Sequence, residues 1–131
     1  MEVPASTALW TKLVRSGEQI AALYYESNQY VQDEIDVLCI QLTKSARATG
    51  NQELLDAIET IEREVSAIMA ENAKTFGEFL RDAAPERTDQ HELIEDALKA
   101  SESVRESMKT SRERLVVLRA ALARLKNPSS S

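Results

Sequence analysis

The first third of this chain carries a sustained seven-residue beat, and nothing else in the sequence narrows the fold as much. Trp10, Val14, Gly17, Ala21, Tyr24, Asn28, Val31, Ile35, Leu38 and Leu42 recur at alternating gaps of four and three. That alternation lines one face of an α-helix. A second stripe, Leu9, Leu13, Ile20, Leu23, Tyr30 and Val37, runs beside the first. Together they span about half the circumference, wider than the seam of a two-stranded coiled coil. A helix of this kind, expected over residues 7–48, needs two neighbours.

The remaining sequence supplies both. Leu54, Ile58, Ile61, Val65, Ile68, Asn72, Thr75 and Phe79 repeat the beat, widened by Leu55, Met69, Phe76 and Leu80, and predict a second helix over 52–83. Ile94, Ala97, Ser101, Val104, Met108, Ser111, Leu115, Leu118, Leu122 and Leu125 predict a third over 89–126. The expected fold is therefore all-α, an elongated up-down-up three-helix bundle with coiled-coil-like heptad packing. Residues 1–6 and 127–131 read as tails around a single domain, 7–126. Sparse glycine and few aromatics argue against strands, which want β-branched and aromatic residues between frequent turns.

The punctuation agrees with these boundaries. Ser6 or Thr7 can cap the first helix. Gly50 suits a left-handed terminating residue and Asn51 can cap the second helix. Pro85 breaks the second connection, and Asp89 with Glu92 has the form of a capping box. Gly17, inside the first helix, predicts a close approach by a neighbouring helix. Asn28 is the strongly polar member of the main seam, where a buried amide would fix register. Phe76 and Phe79 are expected in the core near Trp10 and Leu13.

Composition excludes several functions. A net charge of −6 opposes general nucleic-acid binding, which needs a basic surface. One cysteine, Cys39, can form neither an internal disulfide nor a multi-cysteine metal site, and reads as a buried, inert thiol. The start has neither the basic nor the apolar region of a secretory signal, and no apolar run approaches the ~18 residues of a membrane span. These features predict a cytoplasmic protein. The sole histidine, His91, has no second histidine with which to build a di-iron or zinc site. Gly17, Gly50 and Gly77 stand too far apart for a phosphate loop. Acidic pairs such as Glu59 with Glu62 fall on helix faces without a cleft to shift their pKa values. Neither catalysis nor a cofactor is expected.

Charge is unevenly spread. Residues 104–131 carry seven bases against two acids, +5, which leaves −11 for residues 1–103. A basic strip of Arg105, Lys109, Arg112, Arg119 and Lys126 is expected to meet acids of the first two helices, among them Asp33, Glu34, Asp36, Glu53 and Asp56. Exposed pairs of this kind contribute at most about 1 kcal/mol each. The strip's other expected use is an anionic lipid surface or acidic partner.

Surplus apolar area supplies the functional reading. Tyr24, Tyr25 and Tyr30 cluster on the first helix, with Tyr25 off both stripes, and Val116 and Val117 widen the third. Such surplus is usually covered by another chain. The expectation is a non-enzymatic interaction module: a helical adaptor or scaffold subunit docking partner helices, or itself, on a face built from Tyr24, Tyr25, Tyr30, Val116 and Val117. Alternatives are a small acidic export chaperone and a membrane-associated bundle. The latter follows from Leu93–Lys126, which resembles a helix of BAR-type domains in its heptads, basic strip and preceding proline bend; a membrane surface is the less favoured partner.

Overall fold

Three helices and no strand account for the described residues, 5–82 and 91–126, in this computed structural model. The first helix is continuous but not uniform: α-helix Ala5–Tyr30, a π-helical turn Val31–Asp36, then α-helix Val37–Thr49. Backbone angles at Tyr30, Asp36 and Val37 stay right-handed helical across both joins. The second helix is Gln52–Asp82 and the third His91–Lys126. The protein is an all-α helical bundle. The Pro85 connection, Asp89 of the capping box, residues 1–4 and residues 127–131 lie outside the described residues.

The first turn forms as its residues dictate. Gly50 adopts φ 64°, ψ 29°. Its N–H donates to Arg47 O at 3.3 Å, and Asn51 N–H donates to Ala46 O at 2.9 Å. This pair of bonds is a Schellman termination, which satisfies carbonyls that the helix end would leave unpaired. Asn51 Oδ1 then accepts the Leu54 N–H at 3.0 Å, capping the second helix. At the other end the helix is already formed at Ala5, so Ser6 and Thr7 lie within it and neither is its cap.

The chain divides into two units, each with a piece of all three helices: Met1–Tyr25 with Glu71–Thr110, and Glu26–Ala70 with Ser111–Ser131. The first unit buries Leu13, Ile20, Phe79, Ile94, Ala97 and Met108. The second buries Ile35, Cys39, Leu42, Ile58, Val65, Ile68, Leu115 and Leu122. On the second and third helices the buried and half-buried positions follow the expected seams throughout, although Leu80, expected to widen the second seam, is exposed.

The first helix departs from expectation, and the departure is systematic. Its buried positions are Leu13, Ser16, Ile20 and Ser27, then Ile35, Cys39, Leu42 and Ala46. The step from Ser27 to Ile35 is eight. Val14, expected on the main seam, is 42% exposed, and Val37 of the second stripe is exposed as well. Ser27 at 0% exposure, not the half-buried Asn28, is the fully buried polar residue. The cause is the π turn, where i→i+5 bonding accommodates one extra residue. An uninterrupted count by sevens back from Leu42 and Ile35 therefore lands one residue late, on Asn28, Ala21 and Val14.

The charged flank records the same skip. Arg105 donates to Gln19 Oε1 at 2.6 Å, Arg112 pairs with Glu26 at 2.6 Å, and Arg119 pairs with Glu34 at 3.3 Å. The arginines advance by seven and seven, their partners by seven and then eight. Gly17 is also explained differently from expectation. A Cβ there would meet the Phe79 ring at 3.7 Å, an ordinary contact with a side chain rather than a helix backbone pressed against the glycine.

Candidate functional site: a groove beside the π turn

The residue pattern that inserts the π turn also shapes the surface beside it. Within the second unit, Val31, Ile35 and Cys39 step along the first helix by fours and face Val65 and Met69 of the second helix. Between the two helices lies an open groove of about 520 Å³, with an apolar floor formed by these five side chains. Ile40 stands at the rim, 57% exposed, next to the exposed Val37. Asp36 forms part of one wall, and Glu62 and Ser66 part of the other. No lysine or arginine lines it.

The electrostatics of the floor follow from these walls. Burial pushes the Cys39 thiol up to about 11, and the negative charges of Glu62 and Asp36 push in the same direction. Cys39 is therefore a protonated thiol at neutral pH, in keeping with the inert role expected of it. The groove is apolar below and acidic at both edges.

Two further clefts belong to the same unit. One of about 600 Å³ lies at the Gly50 turn, edged by Gln41, Ser45, Thr49, Asn51 and Lys126, with Leu54 and Leu125 beneath. Its wall is largely neutral polar. Another of about 370 Å³ runs past Thr43, Arg47, Leu55 and Glu59.

The docking residues expected from sequence are distributed differently. In the first unit, Tyr24 is half-buried against Phe76 with ring centroids 4.6 Å apart, and Tyr25, 64% exposed, meets Tyr24 edge-on at 5.6 Å. Tyr24 thus belongs mainly to the core margin. In the second unit Tyr30 packs against the buried cluster, while Val116 and Val117 are exposed, Val117 at 67%. Of the groove residues, Met69 was expected only to widen the second seam and Glu62 only to lie on a solvated face, and Ile40 was not singled out. The available signal was Ile40, an isoleucine off both stripes.

The basic strip is largely engaged. Arg105, Arg112 and Arg119 bond to the first helix as described, and Lys109 approaches Glu106 at 3.6 Å. The partners are Gln19, Glu26 and Glu34. Of the acids anticipated, only Glu34 appears among these pairs. His91 sits at 3.0 Å from Glu95, one turn on, as surface decoration of the third helix. Among the described residues no group of three His, Cys, Asp or Glu side chains could hold a metal ion, and no helix is long and apolar enough to cross a membrane.

Compared with protein-family models, curated proteins and solved structures, the chain matches none.

Proposed function

We propose that this protein is a non-enzymatic interaction module, an adaptor or scaffold subunit working in the cytoplasm, that receives a partner's helix on its bundle surface. The observation that carries this reading is the open groove beside the π turn, where the half-buried Val31 and Met69 lie over a buried floor and Ile40 stands exposed at the edge. Covering such a surface releases roughly 25 cal/mol per Å² of apolar area, and a helix laid between two others is a common way of doing so. Single exposed apolar residues are ordinary. Here they adjoin a groove, which is the arrangement that helix-in-groove recognition uses.

The membrane-surface alternative draws less support, because the arginines of the basic strip are bonded to the first helix. An export chaperone that sheathes an amphipathic client would use the same groove and is a special case of the favoured reading.

Photo-crosslinking in cells tests it. A benzophenone amino acid at position 40 should give a discrete protein adduct that disappears when Met69→Arg blocks the groove. The same probe at the exposed Lys12 should not give that adduct. Identical adducts from both positions, or none from position 40, would contradict the proposal.

A further inference from the structure

The groove beside the π turn has a chemistry that narrows its occupant. Its floor is a double row. Val31, Ile35 and Cys39 repeat by fours on one helix, and Val65 and Met69 answer from the other. Rows spaced in this way accept the ridge of a third helix, whose side chains also repeat by threes and fours. The walls then discriminate among helices. Asp36 stands on one side and Glu62 on the other, with no cation between them. The helix that supplies the Glu62 wall, Gln52–Asp82, carries eight acids against three bases, so the field around that wall is negative well beyond the one carboxylate.

We infer that this groove binds an amphipathic helix from another protein, one whose apolar stripe is flanked on both sides by lysine or arginine. The inference deepens the interaction reading and rests on it. Apolar burial provides the affinity, and the two acidic walls select basic flanks over acidic ones. A second copy of this chain is disfavoured by its net charge of −6 against the acidic walls, and Arg105, Arg112 and Arg119 of its third helix already bond to Gln19, Glu26 and Glu34. Burial foremost, and then the negative charges of Glu62 and Asp36, raise the Cys39 pKa at the floor.

The test is a displayed library of 18-residue peptides, built with an apolar i, i+3/i+4, i+7 face and randomised flanking positions, selected against the whole chain. Enriched peptides should carry Lys or Arg on both flanks. Their affinity for the unaltered chain should fall with added salt, and it should fall about tenfold on Glu62→Lys or Asp36→Lys at low salt. Selection against the double variant Asp36→Lys/Glu62→Lys should enrich acidic flanks instead. Both positions are exposed, so circular dichroism should show both variants folded.

Enrichment of amphipathic peptides with neutral or acidic flanks would overturn the charge assignment while leaving helix docking in place. Enrichment of no amphipathic peptide, or binding untouched by Ile40→Glu, would overturn both. Self-association in sedimentation that Ile40→Glu abolishes would also overturn the inference, by assigning the groove to a second copy.

Discussion

The two units of this bundle share three helices and a seven-residue beat, yet they fill their interiors with different material. In the second unit the buried hydrophobic cluster is eight residues, dominated by isoleucine and leucine. The first unit's cluster has six, one of them alanine, and the same unit buries Ser16, Asn72 and Ser101, against Ser27 and Ser111 in the second. Ser101 Oγ donates to Leu98 O at 2.6 Å, but Ser16 Oγ and the amide Asn72 Nδ2 in the first unit, and only the hydroxyl Ser27 Oγ among the buried serines of the second, have no hydrogen-bond partner among the described residues. A buried polar atom left without a partner costs on the order of 1–3 kcal/mol. The heptad therefore sets where the core lies without setting how strongly each stretch is held.

Substitutions can break or sharpen this contrast. Leu115 is fully buried in the second unit, and Leu115→Ala should cost about 2–5 kcal/mol of unfolding free energy by urea titration. Ser101→Ala, at a fully buried site of the first unit, should change stability by less than about 1 kcal/mol, because only a local hydroxyl bond is lost. Equal costs at the two sites would erase the distinction.

The Cys39 thiol tests how dry the second unit's floor is. With its pKa raised from 9.0 to about 11, its thiolate fraction at pH 7 is about a hundredfold below that of the unfolded chain. Alkylation should be slower by about that factor and accelerate as the pH approaches 11. The folded state holds the proton more tightly, so the contribution of this group to stability is complete below pH 9 and is lost as the pH rises from 9 towards 11. Titrating unfolding free energy across that window checks the sign.

Asn72→Leu, in the first unit, should raise stability by about 1–2 kcal/mol by removing the unpaired amide, and should narrow the difference between the units. A loss would show that the Asn72 amide is satisfied after all. Gly17→Ala should follow with a gain of about 1 kcal/mol, since the added methyl meets the Phe79 ring at 3.7 Å without overlap. Smallest of all, Arg112→Ala should cost less than about 1 kcal/mol, because the pair with Glu26 is roughly half exposed.

Much of this fold was legible because the second and third helices keep an unbroken beat from Leu54 to Phe79 and from Ile94 to Leu125. Gly50 and Asn51 were legible too, since glycine, with no Cβ, readily takes the left-handed stop and the Asn51 side chain suits a cap. The first helix misled because its pattern is two heptad tracts one residue out of step, and the wide apolar face around them let one continuous seam be drawn through both. Ser16 and Ser27 escaped notice because serine carries no hydrophobic signal even when fully buried. The site was less legible still. Tyr24, Tyr25 and Tyr30 stood out by residue type, whereas the groove lies beside a π turn, and backbone bonding of that sort has no composition of its own. Ile40, outside both stripes, was the visible trace.

The account turns on that phase change, and cysteine scanning of residues 24–42 in a Cys39→Ala background would measure it directly. Thiol labelling should be slowest at position 27, and then again at 35 and 42, an eight-residue step followed by a seven. Slowest labelling at 28, 35 and 42, evenly spaced by sevens, would mean an uninterrupted α-helix, and the π turn with its groove would have to be abandoned.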